Sequence, residues 1–408
     1  MRTLEELKEY VEEENIRFLR LAFFDVFGVQ KNVSILPDEL EKAMTDGISI
    51  DASAIAGFGG QVRSDLFLIP EPETLTIVPW RSFDGKVARM FCRIIKPDGV
   101  LFELDSREIL RGAVRKAKEE GVSVDFGAAM EFYVFRKDEN GEPTDIPLDR
   151  AGYMDMAPED KGENLRRDIC GALRDMGITP ESSHHEQGPG QNEIDFRYSD
   201  ALTSADNTAT FIWTVKNTAN ANGCSADFSP KPLKGMPGNG MHINISIDCS
   251  DGKDRTMQFM AGVMRHVREM TLFFNRTTES YDRLGAMEAP GYISWSEQNR
   301  SQLIRIPAVR SGHPRIELRS PDPMANPYLV YALLIYAGLD GIRHHMTPDR
   351  PMNINLYKAD PELTDNLSKL PLHIGEAAQY ARSSEFIRGI LPPDLLKAYC
   401  DYAAEQIR

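Results

Sequence analysis

The sequence predicts an α+β protein of two domains, a small and mostly β first domain over residues 1–104 and a larger α+β domain over 105–408. Three observations carry this. At 408 residues the chain exceeds what one ordinary hydrophobic core serves. The first hundred or so residues break into short apolar runs divided by Gly, Pro and Asp turns. Beyond them, runs with a period of two alternate with long runs at helical spacing.

In chain order, residues 3–15 read as a surface helix with Leu4, Leu7 and Val11 at helical spacing. The runs "IRFLRLAFFD", "VQKNVSIL", "LTIVPW" and "VARMFCRII" read as strands, and "KPDGV" (96–100) suits a hairpin turn. "DSREILRGAVRKAKEEG" (105–121) starts with a capping residue and ends on Gly121, a helix with both signals. Strands follow at 128–135, 192–198, 241–247 and 314–320, with helices near 163–176, 201–222, 255–274 and 325–341. No repeat or low-complexity segment interrupts them.

Composition narrows the function. A net charge of −15 with no Lys/Arg-rich block argues against nucleic acid as a partner. The longest apolar run, "LVYALLIYAGL" (329–339), is too short to span a bilayer, so no membrane role is expected. The five scattered cysteines lack C-x-x-C spacing and read as reduced thiols, and the N-terminus reads as a charged helix rather than a signal peptide. A cytoplasmic protein is the expectation.

Residues i and i+2 of a strand share a face. Glu131 then lies with Ala129 and Tyr133, Glu193 with Asp195 and Arg197, His242 with Asn244 and Ser246, and Glu317 with Arg315 and Arg319. The opposite faces are largely apolar. A Gly-Pro-Gly turn joins Glu186 to Glu193, so Glu131, Glu186, Glu193, His242 and Glu317 could form a hard, oxygen-rich site suited to Mg²⁺ or Mn²⁺. Arg300, Arg305, Arg315 and Arg319 could hold phosphates or a carboxylate. Metals and arginines around an anion are the equipment of phosphoryl transfer. Each motif alone has an ordinary reading: an ion-pair ladder for "PRIELR", capping or packing for His184–His185, a structural role for His344–His345, a tight turn for "GMPGNGMH". Their occurrence together and in order favours the site.

That order resembles glutamine synthetase, especially the shorter bacterial type, over nearly the whole chain. The matching stretches are "IDASAIAGF" (50–58), "GAAMEFYVF" (127–135), "SHHEQGPGQNEIDFRY" (183–198), "PKPLKGMPGNGMH" (230–242), "NRSQLIRIP" (299–307) and "RIELRSPDPMANPYL" (315–329). The resemblance implies an N-terminal β-grasp domain, and a catalytic domain whose antiparallel, barrel-like sheet is flanked by helices. It also implies a ring of subunits, hexameric or dodecameric, with active sites between neighbours. The implied chemistry uses ATP to phosphorylate a side-chain carboxylate, which an amine then attacks.

Residue by residue, the resemblance gives one metal to Glu131, Glu186 and Glu193 and a second to His242 and Glu317. Arg300, Arg305 and Arg315 would meet ATP and the moving phosphate, with Glu181, Tyr198 and Ser246 lining the nucleotide pocket. Gly238, Arg283 and Arg319 would hold the acid substrate. Asp51 of a neighbouring subunit, Tyr153 and the flap residue Glu288 would form the ammonium site. Two departures stand out. Ala129 replaces a glutamate that serves the second metal, and Pro237 changes the loop that meets glutamate. The chain also stops short of a long C-terminal extension found in many relatives. The implied activity is glutamine synthesis from glutamate and ammonia. A γ-glutamyl-amine ligase and a catalytically weak nucleotide- or amino-acid-binding homologue are the alternatives.

Overall fold

The computed structural model describes residues 3–59, 64–80, 84–308 and 314–407. The chain forms two compact units, Met1–Ile109 with Gly171–Ile178, and Leu110–Cys170 with Thr179–Arg408.

In the first unit, helix α1 (Leu4–Glu13) starts on a capping box: Glu6 N–H donates to the Thr3 hydroxyl and Thr3 N–H to the Glu6 carboxylate. Then come β1 (Ile16–Phe24), β2 (Gln30–Ile35), α2 (Leu40–Thr45), β3 (Ile48–Asp51), β4 (Asp65–Pro70), β5 (Thr76–Ile77) and β6 (Lys86–Ile95). They form a sheet in the order β2-β1-β6-β4-β3 with β5 also on β6; β1 and β6 run parallel and the other pairs antiparallel. Leu19, Leu21, Leu68, Met90 and Ile94 are buried in its core. The expected turn after β6 is present, with Lys96 N–H donating to the Val100 carbonyl. β3 and β4 lie outside the strands expected from alternation. β3 has four residues, too few to establish a period, and β4 ends on a proline.

The chain continues through α3 (Ser106–Glu119), β7 (Val122–Lys137), β8 (Pro143–Pro147), α4 (Glu163–Asp175), β9 (Pro180–His185), β10 (Gln191–Phe196), β11 (Ser199–Asp200) and α5 (Ala201–Ala221). After these come β12 (Cys224–Asp227), β13 (Met241–Cys249), α6 (Thr256–Phe274), α7 (Thr278–Arg283), β14 (Trp295–Glu297), β15 (Ile304–Ile306), β16 (Ile316–Leu318) and α8 (Pro327–Arg343). Two longer helices, Ile374–Ser383 and Pro393–Ile407, close the chain; no periodicity reading anticipated them.

The second unit is built on a sheet ordered β14-β15-β16-β13-β7-β10-β9, with β8, β11 and β12 also on β7. β7 is thus the spine. Its even-numbered residues from Val122 to Val134 are apolar and buried: Phe126 stacks on Tyr331 of α8 at 4.2 Å between ring centres, and Phe132 meets Phe211 of α5 edge-on. The odd-numbered residues are left for the other face. No helix among the described residues is long and apolar enough to cross a membrane.

Behind the sheet, α6 and α8 cross at backbone contact. A Cβ on Gly262 would sit 2.1 Å from the Ala337 carbonyl, and one on Gly341 would sit 2.1 Å from the Gln258 carbonyl. The obstacle in both cases is backbone, which cannot rotate away. Gly262→Ala and Gly341→Ala should therefore each destabilise the chain by about 1–3 kcal/mol, the usual range for overpacking. Denaturant midpoints measure this, and unchanged midpoints in both variants would mean that the two helices can separate freely.

Candidate active site

β10, β7, β13 and β16 lie side by side, so the four strands with one ionisable face present those faces together. Across the strands, Glu193 pairs with Glu131, Asp195 and His242 both pair with Ala129, and Asn244 pairs with Gly127 and Glu317. A cavity of about 530 Å³ opens on this face. Thirteen of the residues singled out from the sequence line it: Glu131, Tyr153, Glu181, Glu186, Glu193, Tyr198, His242, Glu288, Arg300, Arg305, Arg315, Glu317 and Arg319.

One half is acidic. Glu131 is anchored by the Gly240 N–H, which donates to its Oε2 at 2.6 Å. Only glycine allows this approach, since a Cβ at 240 would lie 2.6 Å from His242 Nε2. Glu131, Glu193 and His242 each place a ligand atom within 4.8 Å of the others, and so do His184, Glu186 and Glu193. Burial, reinforced by the neighbouring Glu131 carboxylate, pushes the Glu186 carboxyl up to about 8 and Glu193 well above the ordinary range. Burial raises Glu131 too, against the Gly240 hydrogen bond. Burial and then the arginines push His242 far down, so its imidazole is neutral and able to ligate. Carboxylates and neutral imidazole suit Mg²⁺ or Mn²⁺.

The other half is basic. Arg305 Nε donates to one oxygen of Glu317 and Arg319 Nη1 to the other, and these guanidinium groups outweigh burial to keep the Glu317 carboxyl low. The Nε groups of Arg315 and Arg319 are buried without an acceptor among the described residues, directions from which an anion could be held. Glu288 stands at the edge with φ 63°, a left-handed conformation rare outside glycine, and its carbonyl faces Arg319 Nη2 at 3.5 Å.

Several placements differ from the sequence reading. Glu317 pairs with arginines and not with His242, whose ligand neighbours are Glu131 and Glu193. His184 is no packing residue: Nδ1 lies 3.5 Å from Glu186, Nε2 lies 3.9 Å from Glu193, and Tyr153 packs edge-on against the ring. His185 does carry the structural role, bonding Asp149 at 2.8 Å and the Glu186 carbonyl at 2.6 Å, and so fixing the backbone of Glu186. Alternation continued to the end of 192–198 would put Tyr198 on the face opposite Glu193, yet Tyr198 lines the cavity. β10 ends at Phe196 after an irregularity in its pairing with β9, so the period does not reach Tyr198.

Gly238, Ser246 and Arg283 are not on the cavity wall. Gly238 accepts a bond from Gln191, Ser246 lies along β13 opposite Asp125, and Arg283 donates to the Ser320 and Arg319 carbonyls. Asp51 belongs to the first unit, where its exposed carboxylate accepts from the Ser53 N–H and hydroxyl. Asp195 and Asn244 line the cavity without having been singled out as site residues, although i+2 spacing from Glu193 and His242 had put them on the same faces.

The glutamine synthetase catalytic-domain family model matches residues 103–408, and the β-grasp model of the same family matches 15–97. A curated glutamine synthetase of Clostridium saccharobutylicum is 43% identical over 405 residues, covering 95% of this chain and 91% of its own. That of Methanosarcina mazei is 41% identical over 413 residues, covering 97% and 92%. Among solved structures, a GmaS/ADP complex superposes with a TM-score of 0.88 at 26% identity, over 98% of this chain and 95% of that one. A cryo-EM structure of Plasmodium falciparum glutamine synthetase has the same fold, with a TM-score of 0.87 at 24% identity.

The raised carboxyls have a testable sign. Folding holds protons on Glu131, Glu186 and Glu193 that the unfolded chain releases, so their contribution to stability is complete below about 4.5 and is lost as pH rises, through about 8 for Glu186. His242 acts in the opposite sense, but only as pH falls through the ordinary histidine value of 6.5. The metal-free protein should therefore lose melting temperature between about pH 6.5 and 8.5, and excess Mg²⁺ or Mn²⁺ should remove that slope by replacing the protons. Glu186→Gln should stabilise the metal-free protein at pH 8.5 by on the order of 1–3 kcal/mol. Calorimetric scans across pH, with and without metal, measure both effects.

Proposed function

The chain belongs to the glutamine synthetase family and is an ATP-dependent ligase of that type, and on that premise we propose that it joins L-glutamate to ammonia to give L-glutamine. The observation that carries the reading is the division of one cavity into a carboxylate–imidazole half on β7, β10 and β13 and an arginine half beside it. Phosphoryl transfer depends mostly on positioning and charge neutralisation, which these two halves offer. A bound Mg²⁺ or Mn²⁺ would neutralise phosphate charge and polarise the group in transfer. Glu131, Glu186, Glu193, His184 and His242 are the residues placed to hold such ions.

In the proposed reaction Arg300, Arg305 and Arg315 receive the phosphates of ATP, and Glu181, Tyr198 and Ser246 serve the nucleotide. Arg319, supported by Arg283 and the Gly238 loop, orients the acid. A glutamate side-chain oxygen takes the γ-phosphoryl group and ADP departs. Tyr153 and Glu288 border the ammonium position, and Asp51 of a neighbouring subunit accepts its proton. Ammonia then attacks the acyl carbon, phosphate leaves, and Glu288 takes up the remaining amine proton. Closure of the Glu288 segment would keep water from the acyl phosphate. The exposed position of Asp51 leaves it available to another copy, which supports a ring with sites shared between subunits.

One observation favours a second acceptor, a larger primary amine: Tyr153 and Met154 at the rim are 50% and 60% exposed, leaving space beside the ammonium position. Purified protein with ATP, Mg²⁺ or Mn²⁺, glutamate and a panel of amines, followed by mass spectrometry, separates the two. The expected result is ADP and glutamine with ammonium, and a loss of kcat/KM of about 10²–10³-fold in Arg315→Ala, the usual cost of one transition-state donor. Product only from a larger amine would move the acceptor assignment, and no ADP from any pair would overturn the proposal.

A further inference from the structure

Ala129 sits in the centre of the acidic half and has no polar atom in its side chain. Across the sheet it is the partner of Asp195 on one side and His242 on the other. Residues directly opposed in antiparallel strands project to the same face. The row therefore reads carboxylate, methyl, imidazole, with the outer two backbones about 10 Å apart, twice the usual strand spacing. Side chains of that reach, leaning over a methyl group, can meet at one cation with bonds of about 2.0–2.2 Å.

The outer residues have ligand capacity to spare. Asp195 Oδ1 is buried with no hydrogen-bond donor among the described residues, Oδ2 accepts from the Ser182 hydroxyl at 2.5 Å, and the carboxylate lies against that of Glu193. His242 is 5% exposed, lines the cavity, and has no hydrogen-bond partner for its ring among the described residues. Glu317 has both oxygens engaged by Arg305 and Arg319.

We propose that Asp195 is a metal ligand in this chain: with His242 it holds a second divalent cation above the Ala129 methyl, supplying from β10 the carboxylate that β7 lacks. Ser182 then acts as a positioning residue, because its hydroxyl holds Oδ2 and leaves Oδ1 without a donor. The proposal rests on the cavity's being a divalent-cation site, as the ligase reading requires.

The test is Mn²⁺ binding to the purified full-length protein, with free Mn²⁺ followed by electron paramagnetic resonance and activity left aside. The unaltered protein is expected to bind two ions per chain. Asp195→Asn should keep one at unchanged affinity and weaken the other at least tenfold, and adding Ala129→Glu to Asp195→Asn should restore it. Metal-free melting curves establish folding; if Asp195→Asn does not melt cooperatively, Asp195→Ser carries the same expectation, because its hydroxyl can still pair with Ser182. Two ions of unchanged affinity in the folded variant, or only one ion in the unaltered protein, would overturn the assignment of Asp195 and leave the ligase reading intact. No Mn²⁺ bound by the unaltered protein would overturn both.

Discussion

Three glutamates of β7, β10 and the turn before β10 lie near one another away from solvent, and among the described residues no lysine or arginine is paired with any of the three carboxylates. Buried like charges repel in a medium that screens poorly, and each is costly to desolvate. Protons or cations must occupy the gap. Much of the second unit is arranged around this constraint: a glycine N–H directed at Glu131, a neutral imidazole beside it, and His184 between Glu186 and Glu193.

The positive charge nearby is kept for other use. Arg305 and Arg319 grip Glu317, so neither collapses onto the acidic cluster, while the Nε groups of Arg315 and Arg319 remain unsatisfied. A site that neutralised its own acids with its own arginines would have nothing left for a phosphate or a substrate carboxylate. Separation of the two charges across one cavity keeps both halves receptive, at a cost in stability common to functional sites. Rigid supports hold it open. His185 bonds the backbone of Glu186 and the Asp149 carboxylate, which also accepts the Gly190 and Lys161 N–H groups. The apolar side of β7 is fixed against α5 and α8 by stacked and edge-on aromatic rings.

The alternation of ionisable and apolar residues exposed the main strands and the chemistry of their faces. For Glu131, Glu193, His242 and Glu317 the period of two needs no tertiary information, because each residue lies inside its strand. It fails at Tyr198, two residues past the end of β10, where the backbone has left the strand geometry. It is silent on β3, which spans only two alternations, and on the C-terminal helices Ile374–Ser383 and Pro393–Ile407. His184 and His185 are neighbours of the same type with opposite duties, since adjacent residues on a strand face opposite ways.

What the sequence by itself determined is the inventory: which strands have an ionisable face, that the acids are hard ligands, that Ala129 interrupts them, and that a motif order this specific belongs to one family. What only the tertiary structure decided is which groups meet. Strand register places Asp195 and His242 on either side of Ala129, gives Glu317 to the arginines, and brings His184 into the cluster. The physical reason is that side-chain direction is a local property, set by backbone geometry residue by residue. Partnership across strands instead depends on contacts between segments far apart in the chain, and on which charge can approach most closely in the folded interior.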